Sequence, residues 1–456
     1  MTVAAAVCAV LPACKTATVA QAGNAPAEKP APPALRPVIS DDAYKQMEKL
    51  AEIMLIVKKH YVEDKDYTNM INGALVGMLQ SLDEHSYFMI PDQVHELQED
   101  TSGHYGGVGL IISHKDGQLT VIAPVEDSPA YRAGVLAEDV IIKIDGETTA
   151  GMKQSDAIKK MRGKPGTKIV LAVFRRNETE PRTFEIARES INVPTVKGAR
   201  MIRDGIGYVR VTQFAEPTAI SLRKELSGLY DQGMEALVLD LRSNPGGLLK
   251  SAKDVSQMFL QQGSLVVSIR DRNGKNGEKK LMSEGSWHDT NTLMTILIDG
   301  GSASASEIVA GALQDQKRAI LVGDRSFGKG SVQTIMPLKT APDSAIRLTT
   351  AKYHTPSERV IHKHGIEPNI KVRVTPEERR KIQVRRAQIE QPSAFSKEDK
   401  EQYKDVVDTP LERAADLLQA LLIVRSNGKD TPASGPDDKT AGEDSAPDDG
   451  EPEDSE

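Results

Sequence analysis

Apolar residues recur at intervals of three and four through "AYKQMEKLAEIMLIVKKHYV" and "YTNMINGALVGMLQSL", which predicts a helical bundle or arm from about Ser40 to Gln98. Near Gly103 the period changes. The runs "GGVGLIIS", "QLTVIAPV", "DVIIKIDG" and "KIVLAVFR" cluster or alternate β-branched residues between Asp-Gly and Pro-Gly turns, and one helix, "KQSDAIKKMRG", interrupts them. From about Ile206 strands and helices alternate. Strand "GYVRV", helix "PTAISLRKELSGLYDQG", strand "ALVLDL", helix "LKSAKDVSQMFLQ", strands "SLVVSIR" and "TILID", helix "SASEIVAGALQDQ" and strand "AILVG" predict an open α/β sheet covered by helices. A last helical region follows "PNIKVRV", and beyond Asn427 the chain is too acidic and polar to bury a core, which predicts a disordered tail.

The expected fold is therefore a mixed, multidomain α+β chain. Its expected segments are a leader and Ala/Pro-rich linker at 1–39, a helical region at 40–101, a β-rich domain at 102–190, an α/β core at 191–375, C-terminal helices at 376–426 and an acidic tail at 427–456. The 376–426 helices fit self-association into a homo-oligomer and solvated packing equally well.

Composition removes several function classes. A net charge of −7 over 456 residues leaves no general basic surface, so nucleic acid is not an expected partner. Aromatics make up 4 % with one tryptophan, Trp287, which counts against stacking platforms. Cys8 and Cys14, the only cysteines, lie in the apolar start "MTVAAAVCAVLPAC". That start reads as the apolar part of a secretory signal without a charged n-region beyond the amino terminus, and "Leu11-Pro12-Ala13-Cys14" resembles a lipoprotein box. Export to a bacterial periplasm or envelope, with a signal or a lipid at Cys14 as the anchor, is expected; a disordered cytosolic terminus is the alternative. No other segment approaches the ~20 apolar residues of a membrane span.

Three stretches could carry chemistry. Gly323 to Lys329 spells G-x-x-x-x-G-K, but Gly330 stands where a P-loop needs Ser or Thr to hold magnesium, and the β-branched "SVQTIMPLKT" replaces the required helix. In "TILIDGGSASASEIVAGALQDQ" small hydroxyl residues sit at a strand-to-helix junction, where free N–H groups suit an oxyanion. Ser302, Ser304 and Ser306 could equally cap the helix there, with Glu307 completing a capping box. In "ALVLDLRSNPGGLLKSA" the Asn244-Pro245-Gly246-Gly247 turn either admits a ligand to the backbone or only turns the chain.

Taken together, "Asp240-Leu-Arg-Ser-Asn-Pro-Gly-Gly", "Gly301-Ser-Ala-Ser-Ala-Ser-Glu" and "Gly328-Lys-Gly-Ser-Val-Gln333" resemble the C-terminal processing peptidases, or tail-specific proteases. The resemblance runs from "LDEHSYFM" through "YHTPSERVIHKHGIEPNI", about three quarters of the chain. It implies a crotonase-like core and a serine-type endopeptidase without a cofactor or metal, with Ser304 as nucleophile, Lys329 as base and Gln333 as third catalytic residue. It further implies an oxyanion hole from the Ala305 amide and one of Gly246 and Gly247. An amine can replace the usual histidine only if burial and the absence of a carboxylate partner hold it neutral. Asp315 is expected to end its helix and stays outside the catalytic set.

The β-rich domain resembles a PDZ domain. Gly107, Val108, Gly109 and Leu110 match the loop that catches a terminal carboxylate, which implies substrates with free apolar C-termini added as a strand to the domain edge. Arg162 matches a regulatory position linking that domain to the catalytic site, and an activating adaptor is a further expected partner. A structural β domain and a solvated arginine are the plain alternatives. A Ser-His-Asp reading with His354, His362 or His364 lacks a Gly-x-Ser-x-Gly elbow, and a metal reading lacks H-E-x-x-H. A silent scaffold that only holds partner tails leaves the Ser304, Lys329 and Gln333 set unexplained.

Overall fold

The computed structural model describes residues 40–429 except 116, 126, 137, 176–177, 286, 288, 393–394 and 396. The leader with Cys8 and Cys14 and the tail beyond residue 429 lie outside the described residues. The chain divides into two units, one ending at Ile71 and one beginning at Asn72. The first holds helix α1 (Asp41–His60), capped by the Ser40 hydroxyl, which accepts the Ala43 N–H. Its apolar stripe, including Tyr44, Met47, Ile53 and Ile56, is exposed. Helix α2 (Tyr67–Gln80) starts in this unit. No described helix is long and apolar enough to cross a membrane.

In the second unit the expected helical run is broken by strand β1 (Tyr87–Met89). Asp83 turns the chain by accepting the His85 and Ser86 N–H groups. Pro91, the first residue of α3 (Pro91–Ser102), keeps Ile90 extended. The β-rich domain follows. A sheet ordered β3 (Leu110–Lys115), β4 (Gln118–Pro124), β5 (Val140–Ile144), β7 (Lys168–Phe174), β8 (Arg182–Ala187) carries β6 (Glu147–Thr148) on β5. Helices α4 (Pro129–Arg132) and α5 (Gln154–Met161) complete it around a core of Val108, Leu119, Ile141, Leu171 and Met161. Strand β2 (His104–Gly107) pairs with β9 (Glu189–Asn192) at its edge.

The core sheet runs β10 (Val196–Arg203), β11 (Ile206–Val211), β12 (Ala236–Asp240), β15 (Leu293–Ile298), β16 (Ile320–Gly323), β19 (Ile370–Lys371), and is parallel except at β10. Both faces are covered. Leu237 and Leu239 enter the cluster formed by α6 (Thr218–Asp231), α7 (Leu249–Gln257) and α8 (Ala305–Asp315). Ala236 and Val238, facing the other way, meet Leu411, Ala414 and Leu418 of α11 (Thr409–Lys429). This two-sided burial is why β12 is apolar at consecutive positions.

A second sheet runs β1, β18 (Ala341–His354), β13 (Leu265–Arg270), β14 (Lys279–Met282), and β17 (Ser331–Leu338) pairs with β18 as a hairpin. The C-terminal region holds α9 (Pro376–Glu390), α10 (Lys397–Gln402) and α11, which continues past the tail boundary expected at 427.

At the end of β12 the fully buried Asp240 accepts from Tyr208 Oη at 2.8 Å and pairs with Arg242 at 2.7 Å. Arg242 also holds Asp408, just ahead of α11, in a forked pair at 2.7 and 2.8 Å.

Candidate active site

The three expected motifs converge where β12, β15 and β16 end. Ser304 stands at the mouth of α8 with φ 54° and ψ −110°, a backbone conformation strained for a residue with a side chain. Hydrogen bonding distinguishes the three serines. Ser302 Oγ donates to the Leu241 carbonyl at 2.8 Å and Ser306 Oγ to the Asn244 carbonyl at 2.9 Å, both side chains buried. The Glu307 N–H goes to the Ser304 carbonyl rather than to its hydroxyl. Ser304 Oγ thus has no hydrogen-bond partner among the described residues, and the residue is only half-buried.

Glu307 completes half of a capping box, its Oε2 accepting the Ser304 N–H at 2.8 Å. That same oxygen accepts the Lys329 N–H at 2.8 Å, so the two backbone nitrogens lie no further apart than twice that distance. Its Oε1 accepts from Ser326 Oγ at 2.6 Å and from the Gly328 N–H at 2.7 Å. Glu307 is fully buried; burial pushes its pKa up while the four donors oppose that shift.

Lys329 is half-buried, and burial is the main cause of its pKa falling below the usual lysine value, with the Arg347 charge adding to the fall. Glu84 and Glu307 act in the opposite direction without reversing it. Gln333, on β17, donates through Nε2 to Ser331 Oγ at 2.8 Å and faces Thr349 Oγ1 at 3.4 Å.

The Asn-Pro-Gly-Gly turn packs directly on the serine. A side chain at Gly246 would put its Cβ 2.8 Å from Ser304 Cβ, and one at Gly247 would put it 2.1 Å from the Phe214 carbonyl oxygen; both glycines have positive φ, 106° and 139°. Neither position admits another residue without movement. The Gly246 N–H is already taken by Asn244 Oδ1 at 2.9 Å. The Gly247 N–H, like that of Ala305, has no acceptor among the described residues. Of the two glycine amides, that of Gly247 is thus the one left without an acceptor among the described residues, and Gly246 packs directly against Ser304.

In the β-rich domain a cavity of about 430 Å³ is lined by Val108, Gly109, Leu110, Ile158 and Met161, with Gln154, Arg162, Glu99 and Asp100 at its polar parts. The Val108 and Gly109 N–H groups have no acceptor among the described residues. Gly107 lies in β2, within the β2–β9 pair. Arg162 lies over the Tyr105 ring at 4.9 Å and faces Glu99 at 3.6 Å and Glu96 at 3.9 Å. Those partners belong to the lining of this cavity and to α3, and none is Ser304, Lys329 or Gln333. Asp315 ends α8, where its carboxylate accepts the Ser357 N–H at 2.9 Å. Among the described residues no group of three or more His, Cys, Asp or Glu side chains could hold a metal ion.

Sequence reasoning read Glu307 only as a cap. The available signal was its place in "SASASEIVAGAL", where an acid among small and apolar residues must enter the core and find donors there.

Comparison with known proteins shows the family. Residues 205–372 match Peptidase family S41, residues 120–175 match the PDZ domain, and residues 14–92 match the activating protease CtpB N-terminal domain. A carboxy-terminal-processing protease of Bartonella bacilliformis is 41 % identical over 335 residues, covering 73 % of this chain and 76 % of that protein. Carboxy-terminal processing proteases CtpA and CtpB of Bacillus subtilis are 34 % identical over 327 residues and 35 % over 332, each covering 72 % of this chain and 69 % and 68 % of the respective relative. Fold and likeness define a serine-type peptidase that carries a PDZ domain. The chain belongs to the carboxy-terminal processing protease family.

Proposed function

We propose that this peptidase cuts with a Ser304–Lys329 pair assisted by Gln333, on proteins whose free apolar C-termini are held by the PDZ domain. The observation that carries the reading is the single Glu307 oxygen shared by the Ser304 and Lys329 N–H groups. Ser304 Oγ attacks the scissile carbonyl carbon and passes its proton to the neutral Lys329 amine. The oxyanion takes hydrogen bonds from the N–H groups of Ala305 and Gly247. The resulting Lys329 ammonium protonates the departing amine, and water, activated by the same lysine, hydrolyses the acyl-enzyme. Gln333 is uncharged, so it orients the amine without raising its pKa as an acid would.

The tail is proposed to add along β3, its carboxylate on the free Val108 and Gly109 amides and its last side chain in the cavity beside Ile158 and Met161. Export to the cell envelope, an anchor at Cys14, an activating adaptor, self-association and a regulatory part for Arg162 belong to the same proposal. Intact mass spectrometry of the cell-derived protein reads the leader and any lipid. The reaction is tested with an unfolded protein substrate and the Ser304→Ala and Lys329→Ala forms. Loss of cleavage in both is expected; equal cleavage by all three overturns the pair.

A further inference from the structure

Apart from the Glu84 charge, the "LDEHSYFM" stretch has entered no step of the reaction, yet it lies against the strand that faces Gln333. Asp83 Oδ1 accepts the N–H groups of His85 and Ser86, both at 2.8 Å, and Oδ2 accepts the Ser86 hydroxyl at 3.0 Å. Ser86 is buried, and its oxygen accepts the Thr349 N–H at 3.1 Å. The Thr349 hydroxyl lies 3.4 Å from Ser86 Oγ and helps to lower the Asp83 pKa. Across the β17–β18 hairpin Thr349 is the register partner of Gln333.

The order of donors along this chain is fixed by its first member. Burial alone would raise the Asp83 pKa, but these donors outweigh it and hold the group below its usual value, so the carboxylate accepts only. The Ser86 hydroxyl therefore spends its proton on Asp83, which leaves lone pairs on Ser86 Oγ to receive the Thr349 hydroxyl 3.4 Å away. Thr349 is left presenting lone pairs to Gln333, and lone pairs select the NH₂ side of the amide. Ser331 Oγ, 2.8 Å from the same nitrogen, takes the second N–H. With its nitrogen committed, the amide carbonyl is the free side. A reversed amide would donate to the Lys329 lone pair, the electrons that must receive the Ser304 proton.

We propose that Asp83, Ser86 and Thr349 are positioning residues of this peptidase: they set the orientation of the Gln333 amide so that its carbonyl faces the Lys329 amine. The proposal rests on the Ser304–Lys329–Gln333 reading. Its test is a double-mutant cycle in the full-length protein, with kcat measured on a fluorogenic peptide that has a free apolar C-terminus. Thr349→Val should lower kcat about tenfold, the order of one lost hydrogen bond in the transition state, while Thr349→Ser restores it. In a Gln333→Ala background Thr349→Val should change nothing further. An equal loss in both backgrounds would mean a merely structural threonine and overturns the proposal. Full activity of Gln333→Ala alone would remove the role of Gln333 itself, and the positioning chain with it. Ser86→Ala supplies a second cycle if Thr349→Val does not fold.

Discussion

Glu307 accepts the backbone N–H of Lys329 through the carboxylate oxygen that also accepts the N–H of Ser304. One buried acid thereby fixes the spacing between a helix start and a loop 25 residues later in the chain. Glu307→Gln keeps the size but turns one acceptor oxygen into a donor aimed at N–H or O–H groups. Buried unsatisfied donors cost about 1–3 kcal/mol each. The expected outcome is a loss of kcat of about a hundredfold or more with a lowered melting temperature, read by peptide hydrolysis and thermal unfolding.

The acid limb of the rate profile should belong to Lys329. Only the unprotonated amine accepts the Ser304 proton, so the rate rises with pH and levels off once the amine is neutral. Because burial and Arg347 both lower the pKa, levelling occurs below the ordinary value of 10.5. Arg347→Gln removes a neighbouring positive charge, so the limb should move to higher pH. A limb that stays in place or moves to lower pH would show that Arg347 does not act on the lysine.

Gly247→Ala meets the Phe214 carbonyl at a positive φ, so it should destabilise the fold by about 1–3 kcal/mol and abolish cleavage. Gly246→Ala presses on Ser304 Cβ, and its larger effect should fall on kcat. Denaturant melts and hydrolysis rates of the two variants, compared side by side, check the contrast.

Tail capture predicts a split between binding and chemistry. Amidating the substrate C-terminus removes the carboxylate offered to the Val108 and Gly109 amides and should raise KM with little change in kcat. Met161→Glu, which places a charge in the tail cavity, should do the same with a free tail. Equal KM values for free and amidated peptides count against capture through this loop.

Arg242→Met leaves the buried Asp240 and the half-buried Asp408 without their main cation and should destabilise by about 3–5 kcal/mol. Burial pushes the Asp240 pKa up, but Arg242 and Arg386 outweigh it and hold it below its usual 3.8. Asp240 therefore contributes its full stability above pH 3.8 and loses it as pH falls through the depressed folded value. Acid unfolding of the native chain and of Arg242→Met, monitored by circular dichroism, checks both the size and the pH window.

Periodicity made the helices and parallel strands of the core legible because each buries a regular face. Strand β1 escaped notice: it is three residues long, and its pairing with β18 is set by residues more than 250 positions away. Ser304 and Lys329 stand out as candidates from the family resemblance, whereas finding which of the Gly246 and Gly247 amides is free required knowing where Asn244 Oδ1 points. The Asp83–Ser86–Thr349 chain was invisible for the same reason. Its members belong to distant segments, and each alone reads as an ordinary turn or strand residue.

The φ of 54° at Ser304 has a thermodynamic corollary. Glycine would sit at this spot with less strain than any residue that carries a hydroxyl, so Ser304→Gly should be inert toward substrate yet harder to melt than the active enzyme. Selection for thermal robustness alone would drive this fold away from its own nucleophile, and only the demand for turnover keeps the serine in place.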